Sequence, residues 1–455
     1  MKKYETALFI FRRDLRLEDN TALIQALQDS REVIPCFIFT PEQIENNPYR
    51  GDHALQLMLE SLACLNEELI QAGGKLYFFY GAPEEVIKTL HPDAVFVNRD
   101  YTPYSIKRDQ KISDLCLQRG IDFISRNDAL LNAPEDTKKS GGDPYTVFTP
   151  YYKNALKIPV SSPSKTPKGR YVTKNIPSSR GTEIFSEILK EKSDGLLVKG
   201  GRKEGKKHLT RIKTLQLYEP QRDFPYLEAT SHLSAYLKFG VLSVREVYHT
   251  VLFSLGSEHP LIRSLYWRDF FSSIAFFFPH VFSGAFHKGY DAIQWKNDKR
   301  RFELWCKGET GFPIVDAGMR QLNTTGFMHN RVRMIAASFL VKDLHLDWRL
   351  GEKYFAQKLV DYDPAVNNGN WQWAASTGCD AVPYFRIFNP WIQQKKFDTE
   401  CIYIKTFIPE LREESNDAIH NPDRKSGNPR YPLPILDHAQ EAKITLEVYK
   451  TIKLH

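Results

Sequence analysis

Tyr4-Glu-Thr-Ala-Leu-Phe-Ile-Phe11, closed at once by Arg12-Arg-Asp-Leu-Arg16, decides the fold of the first part of the chain. It is a short apolar run bounded by charge, and runs of the same kind, rich in Val, Ile, Phe and Tyr, recur at 33–39, 75–80, 94–98 and 121–125. Each reads as a strand. Between them lie helix-like segments, clearest at 53–72, where Leu55, Leu59, Leu62, Leu65 and Leu69 recur at helical spacing. Strands alternating with helices predict a parallel, doubly wound α/β domain over residues 1–130. Ligands of such sheets lie beyond the carboxyl ends of the strands. Arg12–Arg16 follows the first strand and Asn98-Arg-Asp-Tyr101 the fourth, both in that position. No GxGxxG is present, which argues against a dinucleotide bound in the Rossmann manner.

Residues 131–213 shift to Ser, Pro, Gly, Lys and Arg and read as a connector laid over the surface. Within it, Lys199-Gly-Gly-Arg-Lys-Glu-Gly-Lys-Lys207 lacks the ending of a phosphate loop and reads as a solvated basic turn. From 214 to 455 the pattern is helical, with segments near 233–255, 261–279, 299–307, 313–322, 330–346, 350–360 and 438–452. The expected architecture is therefore α/β followed by all-α. The helical part holds all seven tryptophans, Trp267, Trp295, Trp305, Trp348, Trp371, Trp373 and Trp391. Asp363-Pro364 is a helix start, since a carboxylate caps free amides and proline loses nothing in the first turn. At ~100° per residue, Asn367 and Trp371 then share a face while Trp371 and Trp373 point apart.

The composition, 42% hydrophobic and 13% aromatic over 455 residues, is that of a globular chain with substantial cores. A net charge of +7 permits a polyanionic partner without requiring one. The six cysteines lie far apart with no CxxC, which indicates neither a zinc site nor a disulfide framework; they read as reduced thiols of a cytoplasmic protein. The apolar run at the N-terminus is too short for a signal peptide. No apolar stretch of ~18 residues is present, so no membrane span is expected.

Four clusters in the helical part are hard to explain as packing. The first is Tyr218-Glu-Pro-Gln-Arg-Asp-Phe-Pro225 with Ala229-Thr-Ser-His-Leu-Ser234, whose hydroxyls suit phosphate or a helix cap. The second, Tyr266-Trp-Arg-Asp-Phe270, sets an aromatic beside a guanidinium, for base stacking or an internal ion pair. In the third, Gly326-Phe-Met-His-Asn-Arg-Val-Arg-Met334, Asn330 and Met334 share a helical face while Arg331 and Arg333 diverge by ~200°. One arginine can then face a phosphate backbone and the other an internal carboxylate such as Asp361. The fourth is Asn367-Asn-Gly-Asn-Trp-Gln-Trp-Ala-Ala-Ser376.

Taken in order, FRRDLRLEDN at 11–20, TSHLSAYLKFG, LYWRDFF, GFPIVDAGMRQLNTTGFMHNRVRMI, NNGNWQWAASTGCDAVPYFRIFNP and KKFD at 395–398 resemble the DNA photolyase/cryptochrome family over nearly the whole chain. Within that family the chain is most similar to the class I cyclobutane pyrimidine dimer photolyases. The resemblance implies FAD in the helical domain. Thr230, Ser231, His232, Leu233 and Ser234 would lie at its diphosphate, with Tyr218 near the cofactor. Asp361, Tyr362 and Asp363 would line its ribose and ring, Arg333 would pair with Asp361, and Asn367 would face the reactive ring nitrogen. An amide there is compatible with a reduced anionic flavin and favours repair over signalling. Trp295, Trp348 and Trp371 match the tryptophan chain that reduces oxidised flavin from the surface inward; Trp305 and Trp391 match no such role. Trp267 and Trp373 match walls that stack on a flipped lesion. Arg222, Arg268, Asn330, Arg331, Met334 and Gln393 match positions at the lesion or the damaged strand. UV-damaged DNA is the implied partner, with no obligate protein partner, the chain acting as a monomer. Excited reduced FAD would donate an electron to a cyclobutane dimer, whose ring splits before the electron returns; no acid, base or nucleophile is needed.

Three residues before Trp267, where the family usually has glutamate, stands Ser264, also expected at the lesion; its hydroxyl is shorter and carries no charge. His232 replaces a common arginine. A (6-4) photolyase would normally show paired histidines near Asn330–Met334, where only His329 is present. A cryptochrome-type receptor would be supported by a long C-terminal extension, whereas the chain stops at His455 just after the last predicted helix. An antenna pigment is expected in the α/β domain near Phe37, Arg50, Asp100 and Tyr104. Ser105 stands where the folate-binding branch tends to have glutamate, so a deazaflavin or another flavin is favoured over methenyltetrahydrofolate.

Overall fold

The computed structural model describes residues 2–45, 47–177, 179–188, 195–421 and 430–452. The chain forms two compact units, one of Met1–Asp194, Val198–Thr214 and Ser231–Pro279, the other of Gly195–Leu197, Leu215–Thr230 and His280–His455.

The first unit is built on a five-stranded sheet, β1 (Tyr4–Phe11), β2 (Ser30–Phe39), β3 (Tyr77–Tyr80), β4 (Ala94–Asn98) and β5 (Asp122–Arg126), all parallel in the order β3-β2-β1-β4-β5. Helices Thr21–Asp29, Asp52–Gln71, Pro83–Leu90 and Pro103–Arg119 make the crossovers. β1 is central, and Ala7, Leu8 and Phe9 are fully buried, which is why its sequence is a continuous apolar run rather than an alternation. Pro35 in β2 pairs with Phe9 of β1 but lies one residue before β3 begins to pair at Cys36, so no neighbour on that side needs its missing N–H. The connector fills the edge that β3 leaves open. Val33 N donates to Arg170 O (3.0 Å) and Val172 N to Val33 O (2.9 Å), a parallel bridge to β2.

The connector is therefore more structured than its composition predicts. It contains helices Phe148–Ala155 and Ser179–Ile188, and the expected basic turn is corrected to a helix, Arg202–Arg211. Arg202 is buried in it and pairs with Glu18 and with Glu246 (3.2 Å), so a charge that reads as solvated is an internal anchor. The compact units do not follow the expected boundary at 213/214 either. Helix Pro260–Phe277 groups with the first unit because Phe148 stacks on Trp267 and because Asp269 accepts from the amides of Leu131 (2.8 Å) and Asn132 (3.1 Å).

From residue 214 on, the described residues are helical or irregular with no strand. Two expected long helices are interrupted. The first breaks between Ser234–Lys238 and Val244–Leu255, where Gly240 has φ +60° and a Cβ would come 2.1 Å from Arg13 O. The second ends at Ser338 and continues as a π-helical turn, Phe339–Asp343, an insertion that periodicity alone does not reveal. The core of the second unit gathers Trp305, Val315, Met319, Phe339, Leu340, Phe355 and Trp371. Lys342, in the π turn, is completely buried. Its ammonium nitrogen lies 3.0 Å from Ser376 Oγ and 3.6 Å from the ring centre of Tyr449. Tyr449, on the helix His438–Lys450, donates its hydroxyl to Ala375 O (2.6 Å).

Candidate active site

In the second unit the site centres on the helix Pro364–Ala375. It starts as the sequence requires. The Asp363 carboxylate accepts from the amides of Ala365 (3.1 Å) and Val366 (3.3 Å), with Pro364 in the first turn. It ends at Ser376, left-handed at φ 60°. Between these caps Trp371 turns inward, 2% exposed, and Trp373 is half-buried. Trp371 stands edge-on to Phe355 (4.9 Å between ring centres) and to Trp305 (6.2 Å). Its indole also lies against Gly351 of the helix Trp348–Lys358, where a Cβ would come 2.1 Å from Cη2. Trp348 is buried behind the N-cap Asp347, and Trp295 is half-buried. Trp305 is a fully buried core residue and donates to Ala336 O (3.1 Å), while the half-buried Trp391 packs against that core on Phe312 (5.1 Å).

One turn before Trp371, Asn367 is buried and donates from Nδ2 to Glu352 O (3.0 Å). That bond orients the amide and leaves Oδ1, an acceptor, without a hydrogen bond among the described residues. Arg333 and Asp361 make the expected pair, and it is two-pronged: Nη1–Oδ1 3.2 Å and Nη2–Oδ2 3.0 Å, with Nε donating to Met328 O (2.7 Å). Tyr218, Thr230 and Tyr362 are half-buried. Arg222 is exposed, its guanidinium 5.8 Å from the Tyr218 ring centre.

Asn330 and Met334 share a face as predicted, with Nδ2 3.8 Å from the sulfur. Arg331 is not a free charge. It pairs with Asp223 (2.7 Å) and lies 4.5 Å from the Phe397 ring centre, so both arginines of that segment have carboxylate partners. Gln393 is half-buried, and its Oε1 has no partner among the described residues.

The first unit holds Ser231 and His232, half-buried, Leu233, buried, and Ser234, exposed. His232 takes a left-handed φ of 53° and lies 6.0 Å from the His208 ring. Trp267 is half-buried, with one face covered by Phe148 at 3.7 Å and 6°. Of the two uses raised for Arg268, stacking or internal pairing, the structure shows the internal one. It donates to Ala129 O (2.5 Å) and Leu237 O (3.4 Å) and lies 3.8 Å from Asp269. Burial pushes the Asp269 carboxyl up to about 7, against the nearby Arg268 and the two amides it accepts from. Ser264 is exposed and donates back to Pro260 O (3.1 Å) within its own helix.

Sequence reasoning missed Gly351, Glu352, Phe148, Asp223 and Asp269. A glycine inside a helical pattern is a detectable signal, because it costs stability without a packing reason. Asp223 and Asp269 lie in stretches that the sequence sets apart, but nothing local marks their partners; Glu352 and Phe148 have no local signature.

Residues 7–168 match the family described as DNA photolyase, and residues 261–451 match the FAD binding domain of DNA photolyase. A deoxyribodipyrimidine photo-lyase of Alkalihalophilus pseudofirmus is 38% identical over 469 residues, covering 97% of each chain. An archaeal photolyase from Sulfolobus tokodaii, solved with two FAD molecules, superposes with a TM-score of 0.90 at 43% identity, covering 98% of this chain and 100% of that one. A bacterial class III photolyase from Agrobacterium tumefaciens gives 0.92 at 35% identity, covering 99% and 98%. Related over essentially its full length, in both its sheet-containing and its helical parts, this chain belongs to the DNA photolyase family.

Proposed function

We propose that the chain repairs UV-damaged DNA as a deoxyribodipyrimidine photo-lyase, splitting cyclobutane pyrimidine dimers with light and FAD. The full-length relationship to deoxyribodipyrimidine photo-lyases supports the reaction. The observation that carries the residue roles is the helix Pro364–Ala375, which holds Asn367 and Trp371 buried and Trp373 partly open on one rigid element.

The donor set fits a flavin. A buried amide with an unspent acceptor atom and a two-pronged Arg333–Asp361 pair are groups that hold a heteroaromatic ring and a ribose without competing acid–base chemistry. When bound, FAD supplies the photoexcited electron that opens the dimer and receives it back. Asn367, fixed by Glu352 O, would offer its Oδ1 as an acceptor to a reduced flavin ring. Arg333 fixes the orientation of the Asp361 side chain for ribose hydroxyls. Tyr218, Thr230, Tyr362 and Asp363 belong to the same cofactor set. Trp295, Trp348 and Trp371 carry an electron inward to restore the reduced state.

Trp373 offers an indole face to a flipped pyrimidine, a stack worth ~1–3 kcal/mol per base. Trp267 of the first unit, half-buried with one face stacked on Phe148, is assigned a stacking role of the same kind. Extrusion of a dimer costs less than that of a normal base, because the lesion stacks and pairs poorly. Asn330, Met334, Gln393 and Ser264 contact the lesion, and Arg222 and Arg331 the damaged strand. A light-harvesting flavin in the α/β unit, monomeric action and a cytoplasmic location complete this reading. The second FAD in the Sulfolobus tokodaii photolyase, described as a novel light-harvesting cofactor, supports the first of these.

The test is a blue-light repair assay with purified, reduced protein on two oligonucleotides, one with a cyclobutane dimer and one with a (6-4) product. Light-dependent loss of the cyclobutane dimer alone is expected. Repair of neither substrate refutes the enzyme reading, and repair of the (6-4) product alone refutes the substrate.

A further inference from the structure

The helix His438–Lys450 docks through polar side chains where an apolar stripe is the usual solution. His438, Glu441, Thr445 and Tyr449 follow one another at spacings of three and four, so they share one face. Glu441, Thr445 and Tyr449 are its buried residues, and none is aliphatic. His438 Nδ1 lies 2.5 Å from Asp343 Oδ1, and Thr445 donates its hydroxyl to Lys342 O (2.5 Å). A slip of the helix by one turn would leave these groups buried and unpaired, so the contact fixes its register.

Glu441 does more than dock its own helix. Its Oε2 accepts from His345 Nε2 (2.6 Å) and Lys296 Nζ (3.3 Å), and its Oε1 from Arg301 Nη1 (3.4 Å). These partners come from separate segments. Lys296 directly follows Trp295, and His345 lies three residues before Trp348, the first residue of the helix Trp348–Lys358. The two segments also meet through the main chain, where Lys296 N donates to His345 O (2.8 Å). One carboxylate therefore gathers the stretches of chain that carry Trp295 and Trp348. Burial works against its charge, but the hydrogen bond from His345 and the nearby Lys296 outweigh it and keep the carboxyl below the usual range.

The junction is held under constraint. His345 is left-handed at φ 55°, a conformation that a residue with a Cβ rarely adopts. Such a conformation persists where the surroundings over-determine it. Here its ring meets Glu441, its carbonyl accepts from Lys296, and its Nδ1 lies 3.4 Å from Thr445 Oγ1. We infer that Glu441 is a positioning residue for photoreduction, setting the approach of Trp295 to Trp348 by clamping Lys296 and His345 together. This rests on the reading that Trp295, Trp348 and Trp371 carry an electron inward. In the hop concerned, one electron passes from Trp295 to oxidised Trp348, which is restored, and an external thiol then returns one electron to Trp295. Such transfer falls steeply with the separation of the rings, so the clamp acts on the outermost hop. Repair by enzyme that is already reduced does not use it.

The experiment uses the full chain with FAD bound. Flash photolysis with a thiol present measures photoreduction of oxidised FAD, and blue-light repair is measured on pre-reduced samples of the same proteins. Amide hydrogen exchange at Lys296 gives a reading that does not depend on the flavin. Glu441→Ala is expected to slow photoreduction about tenfold, because a misplacement of ~1 Å can cost up to ~100-fold where geometry limits a rate. Exchange at Lys296 should rise about tenfold as its bond to His345 O loosens, with flavin content and repair unchanged. Glu441→Gln keeps the length of the side chain and loses the charge that gathers Lys296 and Arg301; it should show both effects at smaller size, and it decides if Glu441→Ala misfolds. Trp295→Phe is the reference. It should lose photoreduction, and Glu441→Ala added to it should lose no more. Photoreduction unchanged in both Glu441 variants, unchanged exchange at Lys296, or a loss that only follows flavin content and repair overturns the positioning role while the relay reading stands. Photoreduction untouched in Trp295→Phe overturns the relay reading and the role of Glu441 with it.

Discussion

Gly351→Ala tests how tightly the indole of Trp371 is wedged. A Cβ at position 351 would meet three carbons of that ring, Cη2 at 2.1 Å, Cζ3 at 2.6 Å and Cζ2 at 2.8 Å, all inside ordinary contact. The ring has nowhere to retreat, because Phe355 and Trp305 stand edge-on to it at 4.9 and 6.2 Å. Overpacking of this kind costs ~1–3 kcal/mol. Alanine in place of glycine inside a helix returns ~0.5–1 kcal/mol. With so short a contact the net loss should lie near ~2 kcal/mol, or about 4–8 °C in melting temperature for a folding unit of this size. Phenylalanine at 371 lacks the three carbons that clash, so in a Trp371→Phe background Gly351→Ala should be neutral or slightly stabilising. The coupling between the two changes is then ~2 kcal/mol. Thermal melts of the four proteins at equal flavin content measure it. Flash photolysis adds a second reading. Trp371→Phe should strongly impair photoreduction of oxidised FAD while leaving repair by pre-reduced enzyme nearly intact, and Gly351→Ala should slow photoreduction by displacing the ring. Additive destabilisation within ~0.5 kcal/mol refutes the packing argument, and unimpaired photoreduction in Trp371→Phe refutes the relay.

Asp269 makes a pH prediction. Its folded-state carboxyl holds a proton up to about 7, whereas an unfolded aspartate releases it near ~3.9, so between these values the unfolded chain binds fewer protons and stability falls as pH rises. Asp269→Asn should flatten that slope by up to ~1.4 kcal/mol per pH unit across the window, seen in denaturant melts from pH 4 to 7; an unchanged slope would mean the group is ionised throughout. Ser264→Glu should strengthen binding of dimer-containing DNA by ~1.5–3 kcal/mol, the worth of a charged hydrogen bond, with little change in melting temperature because the hydroxyl is exposed and bonds only within its own helix. Unchanged affinity in a filter-binding titration would place residue 264 away from the lesion. Phe148→Ala should cost ~3–5 kcal/mol of stability and also weaken lesion binding by freeing Trp267; retained affinity in the folded fraction would show that the stack is packing alone.

The parts of this fold that the sequence made legible share one property, a local pattern. β1 and β4 have the same bounds in the sequence reading and in the structure because both are apolar runs ended by charge. The Asp363–Pro364 start and the opposed faces of Trp371 and Trp373 follow from helix geometry. Helix geometry required the two arginines to diverge, so that one could serve Asp361; that Arg333 is the one was implied by the family resemblance. What could not be read depends on distant partners. Arg202 looks solvated until Glu246 is beside it. Phe148 sits in an irregular connector, and only the fold lays it on Trp267. Arg331 meets Asp223, 108 residues away in sequence. The π turn at Phe339–Asp343 inserts into a helix without any breaker residue to announce it.

That π turn has a consequence at a distance. By bringing Lys342 to Ser376 and under Tyr449, it makes the helix His438–Lys450 the keeper of the last turn of the helix that bears Asn367, Trp371 and Trp373. A buried amine with one hydroxyl partner is a weak bolt on its own, and the tyrosine ring is the plate that holds it. A chain trimmed before residue 438 would leave the bolt without its plate, and its damage would be felt first at Ala375, 74 residues upstream of the tyrosine, and through it at the tryptophans of the same helix, with the sheet left untouched.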